Sequence, residues 1–295
     1  MSLDFKPVET GDQDIFKRYL MEDPPEISEL TFTNLFMWQR LYHPVWAEQD
    51  NTLMIIMNPD DSSSYGLQPV GRGDKKKAIE RMLDYLAEKT EAPMIKRAGE
   101  SFVNSTVDRD KYTCTLDRDN SDYVYKTIDL IELSGRKYHR KKNHLNQFKK
   151  NYQYEYRELD KELVESFINM QEEWCKMREC VENPDLLSED YAVRRALIHF
   201  EELGYKGGAI ILKGRVEAFS LGEALNRDTA VIHIEKANPD IPGLYTAINQ
   251  IFAANAWPDT GFINREQDLG IEGLRKAEES DYPDHMVNKY TIARI

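Results

Sequence analysis

The chain has 295 residues, 41% of them hydrophobic and 11% aromatic, and carries a net charge of -13. That apolar content supports packed cores and excludes a disordered chain, and the length accommodates two domains of ordinary size. The acid excess excludes a protein that coats nucleic acid without selectivity, so any polyanion has to be gripped locally.

Met1 to Asp14 is acidic and polar where a secretory signal needs a basic start and an apolar core. No run approaches the ~18 apolar residues of a membrane helix, so a cytoplasmic protein is expected. Val45 to Met57 reads as a hairpin with Asp50-Asn51 as its turn. A polar loop, DDSSS at 60–64, leads to a short strand from Tyr65 to Val70, a GRGD turn and a helix from about Lys75 to Lys89. Ile79, Leu83 and Leu86 give that helix one apolar face, and Pro93 with the strand-like MIKRA follows it.

Ser134 to Lys150, SGRKYHRKKNHLNQFKK, concentrates seven Lys/Arg and two His in this acidic chain. Tyr138, Leu145, Phe148 and Tyr152 recur at helical spacing, so the segment is predicted to be a helix with one apolar stripe and a cationic remainder. A basic helix of this kind either pairs with acidic surface nearby or holds phosphate. Arg136, Lys137, Arg140, Lys141 and Lys142 are the candidate grip, with Asn143 and His144 beside them.

Two amphipathic helices are expected next, from Asp160 to Arg178 and from Ser188 to Leu203, joined by a loop from Val181 to Leu187. Ser188 is read as the N-cap of the second helix and Gly204 as its C-terminal cap. Cys114, Cys175 and Cys180 form an odd set without a CxxC pair or His at ligand spacing. They are expected to be reduced packing residues, with neither a disulfide nor a metal site.

The last third repeats the punctuation of the first. Strands GGAIILK and VEAFSLGEAL flank Lys213-Gly214-Arg215, and TAVIHIEKA leads through the turn NPDIPG into a helix from about Leu244 to Ala256. GFINREQ is the next strand, Asp268 a cap for the short helix GIEGLRKAEE, and VNKYTIARI a closing strand. His233 is read as a strand residue with a satisfied side chain. The repeat is one of element order, and it predicts two copies of one α/β fold.

Helices, an antiparallel hairpin, a strand, a turn opening a helix, a strand, a short helix and a last strand form an order that resembles the GNAT acyltransferase fold. In that fold the strands on either side of the main helix splay apart, and the gap admits the acyl donor. Backbone N–H groups at the turn and helix N-terminus bind its phosphates. Here the turn is Asn238 to Tyr245, which makes Gly243, Leu244 and Tyr245 candidate donor-binding residues. It has one Gly, two Pro and Asp240 where CoA-binding members carry a Gly-rich turn, which shifts the expectation toward an acyl group carried on tRNA.

The segments LSGRKYHRKKNHLNQF, FINREQDLGIEGLRKAEESDYP and MVNKYTIARI resemble the bacterial family grouped with the C-terminal domain of phosphatidylglycerol lysyltransferase. The resemblance spans nearly the whole chain and implies a tandem GNAT fold of the α/β (α+β) class, related in architecture to the Fem aminoacyltransferases. The expected domains are 1–125, a degenerate copy, and 126–295, which includes the basic helix. The implied activity is aminoacyl or acyl transfer to an amine or hydroxyl on a peptide, lipid headgroup or small molecule. Aminoacyl-tRNA or acyl-CoA would be a co-substrate, with no tightly bound cofactor and no metal. The alternatives are an acyl-CoA N-acyltransferase and a non-catalytic module that binds RNA or protein.

Acyl transfer needs a proton acceptor for the attacking group, a donor to the developing oxyanion and an acid for the leaving group. The polar cluster Asn264 to Asp268 would border the gap, with Asn264, Glu266 and Asp268 on one face by strand alternation and Arg265 and Gln267 on the other. Glu266 or Asp268 is a candidate base, Asn264 a candidate donor to the carbonyl oxygen, and Tyr290 a candidate acid. Glu235 and Lys236 would face the same gap, with Glu223 near them. No order of residues suggests a covalent enzyme intermediate.

Overall fold

The computed structural model describes residues 3–60 and 63–295; Asp61 and Ser62, within the predicted polar loop, lie outside them, as do Met1 and Ser2. The first third holds β1 (Lys6–Pro7), α1 (Gln13–Glu22), α2 (Phe32–Met37), α3 (Gln39–Tyr42), β2 (Val45–Gln49) and β3 (Thr52–Met57). It continues with β4 (Tyr65–Gly66), β5 (Val70–Gly71), α4 (Lys75–Ala87), β6 (Met94–Gly99), α5 (Glu100–Thr106) and β7 (Tyr112–Leu116). Then come β8 (Asp122–Lys126), α6 (Thr127–Glu132), α7 (His139–Asn151), β9 (Tyr154–Glu158), α8 (Val164–Met177), α9 (Pro184–Ile198) and α10 (Phe200–Leu203). The remainder is β10 (Lys206–Leu212), β11 (Arg215–Ala224), β12 (Thr229–Ala237), α11 (Leu244–Ala256), β13 (Phe262–Asn264), α12 (Glu272–Glu279), β14 (His285–Val287) and β15 (Lys289–Arg294).

Local chemistry accounts for many of these boundaries. Asp50 and Asn51 both take positive φ, 51° and 57°, the two-residue geometry that matches strand twist in a hairpin, and Lys213-Gly214 does the same at 50° and 79°. Asp74 caps α4 by accepting from the Lys77 N–H. The predicted strand from Tyr65 to Val70 is two short pieces, β4 and β5, which both pair with β3. Helix α9 starts at Pro184, four residues before Ser188, because Asn183 accepts from Asp185 and Leu186 N–H and proline suits the first helical position. Ser188 is therefore inside the helix, bonding the Pro184 carbonyl, and half of the expected 181–187 loop is helical. Gly204 ends α10 at φ 71° as expected.

Two compact units result: Met1–Tyr123 with Glu266–Lys276 and Met286–Ile295, and Val124–Arg265 with Ala277–His285. The sheet of the first unit runs β1-β2-β3-β4-β6-β15-β7. The other runs β14-β8-β13-β12-β11-β10-β9. Both contain a hairpin, a third strand, a helix and a strand that returns parallel to the third: β4 with β6, and β12 with β13. The repeat of element order is thus a repeat of topology.

A division into 1–125 and 126–295 does not describe this pairing. Strand β15 lies between β6 and β7, with Ile292 opposite Ile95 on one side and Cys114 on the other. Ile292 has no exposed surface and joins Ile95, Met82, Leu83 and Phe102 in the first unit's core. Burying such a side chain contributes about 1.5–3 kcal/mol, which explains why the sheet takes its strand from the far end of the chain.

In the second unit α8 covers one face of the sheet, where the Phe167 and Phe219 rings pack 5.0 Å apart. Helix α11 presents buried Ala247, Ile248, Ile251 and Phe252. Cys175 is joined to Cys180 by a disulfide, contrary to the expectation of three free thiols. The 3-10 turn Cys180–Glu182 folds back on the last turn of α8 and brings the two sulfurs together, a proximity that spacing alone does not reveal. Cys114 is the free cysteine. Among the described residues no helix is long and apolar enough to cross a membrane.

Candidate functional site

Strands β12 and β13 run in parallel only from Thr229, Ala230 and Val231 to Phe262, Ile263 and Asn264. β12 continues to Ala237 against β11, so its other edge has no strand partner beyond Val231 among the described residues. This is the splay expected between the strands that flank the main helix. β13 stops at Asn264, short of the predicted GFINREQ strand, because Glu266 adopts φ 62° and turns the chain. The reversal also ends the expected alternation of Asn264, Glu266 and Asp268 on one face.

The end of β12 is lined differently on its two faces, since consecutive strand residues point to opposite sides. Glu235 and Lys236 therefore do not share the gap. Glu235 turns toward α11 and accepts from Asn249 Nδ2 at 3.3 Å. Arg265 Nη2 reaches within 3.6 Å of Glu235 and 3.5 Å of Glu278, and its Nη1 lies 2.7 Å from Asp281. Tyr125 donates to Glu278 Oε2 at 2.7 Å, and Lys141 pairs with Asp281. Burial pushes the Glu235 carboxyl up to about 7; Arg265 opposes the shift, and Asp281 and Glu278 add to it. Arg265 is the residue that sequence reasoning missed, because alternation assigned it to the face away from the candidate carboxylates.

Lys236 turns toward α8 and α9. Its Nζ lies 2.6 Å from Glu189 and 3.8 Å from the centroid of the Trp174 ring, a cation–π contact in a nearly closed site. Burial lowers its pKa, and Glu189 holds it back up. Trp174 Nε1 donates to the Tyr245 hydroxyl at 3.1 Å. Tyr245 and Leu244 stand in the first turn of α11, which no side chain caps. Gly243 takes φ 82°, and a Cβ there would come 2.7 Å from the His144 carbonyl. Its missing side chain thus serves the packing of α11 on α7, not the approach of a phosphate from that side.

The basic segment forms the 3-10 turn Arg136–Tyr138 and α7, with Tyr138, Leu145 and Phe148 buried as the stripe predicts. Its cations divide into two sets. Lys141 is drawn inward to Asp281, Lys137 lies 3.5 Å from Asp129, and Lys142 donates to the Glu132 carbonyl at 3.4 Å. Arg136 and Arg140 are exposed and make no ion pair among the described residues. Asn143 and His144 are exposed on the same helix, with Asn143 3.5 Å from His139 Nδ1.

The other sequence candidates stand as follows. Asn264 is fully buried at the root of the splay. In the first unit Glu266 accepts from Asn34 Nδ2 at 3.3 Å. Asp268 receives Tyr123 Oη at 2.6 Å, Arg275 at 2.8 and 2.9 Å, Arg118 at 3.2 Å and the Gly270 N–H at 2.9 Å. The Arg275 hydrogen bonds, above all, hold its carboxyl well below the usual range. Helix α12 starts at Glu272, so Asp268 organises the turn ahead of that helix and does not cap it directly. Tyr290 donates to Glu100 at 3.1 Å. His233 bonds Glu223 at 3.0 Å, as a satisfied strand histidine should, which also occupies Glu223.

Two sheets of one topology, each opened between its third strand and the strand after its helix, define a tandem GNAT-fold protein. The chain shares this fold with a tandem GNAT protein from the clavulanic acid biosynthesis pathway, at TM-score 0.50 and 8% identity over 99% of this chain and 98% of that one. The chain belongs to the family described as phosphatidylglycerol lysyltransferase, C-terminal, which matches residues 24–293. A conserved protein of unknown function from Bacteroides thetaiotaomicron VPI-5482 is 32% identical, with TM-score 0.92 over 99% of this chain and 100% of its own. L-PGS from Bacillus licheniformis is 13% identical, with TM-score 0.66 over 96% of this chain and 92% of its own. No curated protein matches the chain.

Proposed function

We propose that the protein is an acyltransferase that works at the open end of β12 in its second unit and takes an aminoacyl group from aminoacyl-tRNA. One observation carries this reading: Glu235, whose pKa is about 7, stands where β12 loses its partner strand. A carboxyl poised near neutrality takes a proton from an attacking amine or hydroxyl most effectively at working pH. Family membership supplies the reaction class, since its members are described as lysyltransferase C-terminal domains. The acceptor is an amine or hydroxyl on a peptide, a lipid headgroup or a small molecule. Arg136 and Arg140, exposed beside Lys137, would meet the tRNA backbone, where phosphate contacts supply most of the affinity.

A second reading takes the acyl group from CoA. The N-terminus of α11, which no side chain caps, favours it, because backbone N–H groups and the helix dipole at such an end attract phosphate. Binding of charged tRNA, uncharged tRNA and acetyl-CoA across a salt series separates the two. Saturable tRNA binding that falls steeply with salt and is lost in Arg136→Glu/Arg140→Glu supports the first. Selective CoA binding moves the donor to α11. Binding of neither, together with an inert Glu235→Gln change, leaves a module without catalysis.

A further inference from the structure

Cys175 and Cys180 stand five positions apart and close their bridge across the end of α8. From Lys176 to Asp185 every residue except Cys180 is exposed, Val181 at 84%. The turn Cys180–Glu182 thus has one buried side chain, and it is the bridged one. Backbone hydrogen bonds in this stretch are short-range: the Glu179 N–H to the Lys176 carbonyl, Glu182 to Glu179 and Asn183 to Cys180. Little besides the bridge therefore ties the turn to α8. What the turn joins is the grip on Lys236. Trp174, the residue before Cys175, lies under the Lys236 ammonium, and α9, which begins where the turn ends, brings Glu189 onto the same ammonium. Arg178, inside the bridged segment, stands 5.7 Å from the centroid of the Trp174 ring.

We propose that Cys175 and Cys180 are a reversible thiol–disulfide switch: a dithiol, small or on a protein, opens the bridge, and opening loosens the hold of Trp174 and Glu189 on Lys236. Two features favour reduction. A cross-link draws most from chain entropy when it closes a long loop, and this one spans only five positions. Cys175 is half-buried whereas Cys180 is closed to solvent, so an external thiolate reaches the Cys175 sulfur. Attack there forms a mixed disulfide and expels the Cys180 thiolate, which takes up a proton. The second thiolate of the dithiol then attacks the mixed disulfide and expels Cys175, which is protonated in turn. The dithiol leaves as a disulfide, oxidised by two electrons, and its two protons end on the two cysteines. Opening is local, because Gln171 Nε2 still bonds Asp190 at 3.2 Å and Phe167 still packs on Phe219 further along α8. Lys236 is the neighbour of Glu235 on β12, so the switch acts on the wall of the site proposed above, whatever that site transfers.

The test compares three samples: oxidised protein, protein reduced with dithiothreitol under native conditions, and Cys175→Ser/Cys180→Ala, which keeps Cys114. Amide exchange and the rate at which an amine-reactive ester labels the buried Lys236 are measured by mass spectrometry. Relative to the oxidised protein, the reduced protein and the variant should show ~10-fold or greater acceleration of exchange across 178–190 and of Lys236 labelling, with α11 unchanged. Oxidised glutathione should restore the slow rates in the wild type, and dithiothreitol should not alter the variant. Equal rates in oxidised and reduced protein overturn the switch, as does a bridge that dithiothreitol leaves intact in the folded protein. A response to dithiothreitol that persists in the variant assigns the effect to Cys114 and overturns it as well. The reduced wild type reports the opened state without any substitution, so the test survives a variant that fails to fold. None of these readouts needs acyl transfer, so failure of the function proposed above is a separate result.

Discussion

Arg265 Nη1 lies 2.7 Å from Asp281 Oδ2, and the same guanidinium also faces Glu278 and Glu235. With Lys141 on Asp281, the cluster sets two cations against three carboxylates, which leaves Glu235 as the member that can retain a proton. kcat/KM should therefore rise with pH through about 7, as Glu235 ionises, and Glu235→Gln should remove that limb with most of the activity.

The same group has a stability signature of known sign. Its folded pKa is raised above the carboxylate value of 4.5, so the folded state holds a proton that the unfolded chain has released. Between about 4.5 and 7 the wild type should lose stability as pH rises, by at most ~3 kcal/mol, and Glu235→Gln should flatten that slope. Urea melts across this window measure it, and parallel slopes for the two proteins would contradict the assignment.

Asp268 makes the opposite prediction. Its carboxyl is depressed, so its contribution is present above the ordinary carboxylate pKa and is lost as pH falls below it. Asp268→Asn should cost on the order of 2 kcal/mol near neutrality, and the variant should show a shallower loss of stability in acid. An unchanged melting curve at pH 7 would contradict its structural role.

Gly243 should resist substitution for two independent reasons, positive φ and the His144 carbonyl in the Cβ direction. Gly243→Ala should cost at least about 1 kcal/mol and loosen α7 from α11. Faster amide exchange along α7 in the variant, with other helices unchanged, would report that loosening.

Thiol titration checks the cysteine pairing. Without reductant, denatured protein should react at a single cysteine, Cys114, and after reduction at all three. Peptide mapping that finds Cys175 and Cys180 alkylated before reduction would refute the bridge.

What was legible from sequence depended on how local the cause was. The turns at Asp50-Asn51 and Lys213-Gly214, the span of β12 and the start and end of α11 follow from neighbouring residues, and all lie where the pattern puts them. The GNAT topology followed from their order. The placement of β15 did not, because any apolar alternating strand fits either sheet until its partner is known. Arg265 was hidden because a positive φ at Glu266 breaks the strand periodicity, and nothing in a glutamate announces that conformation. The division of the five basic candidates into bound and exposed sets was equally invisible, since their partners Asp129, Asp281 and the Glu132 carbonyl arrive through folding.

The insertion of β15 between β6 and β7 also sets a timetable. Thr113 Oγ1 bonds the Ala293 carbonyl 180 positions later. At ~5–20 residues per second, a ribosome needs roughly 10–40 s to make the intervening chain. Throughout that interval β6 and β7 exist without the strand that joins them, with pairing edges open to neighbouring nascent chains. Crowded polysomes are thus the setting in which this protein is most exposed to aggregation, and a chaperone that shields strand edges should raise its yield more than one that acts after release.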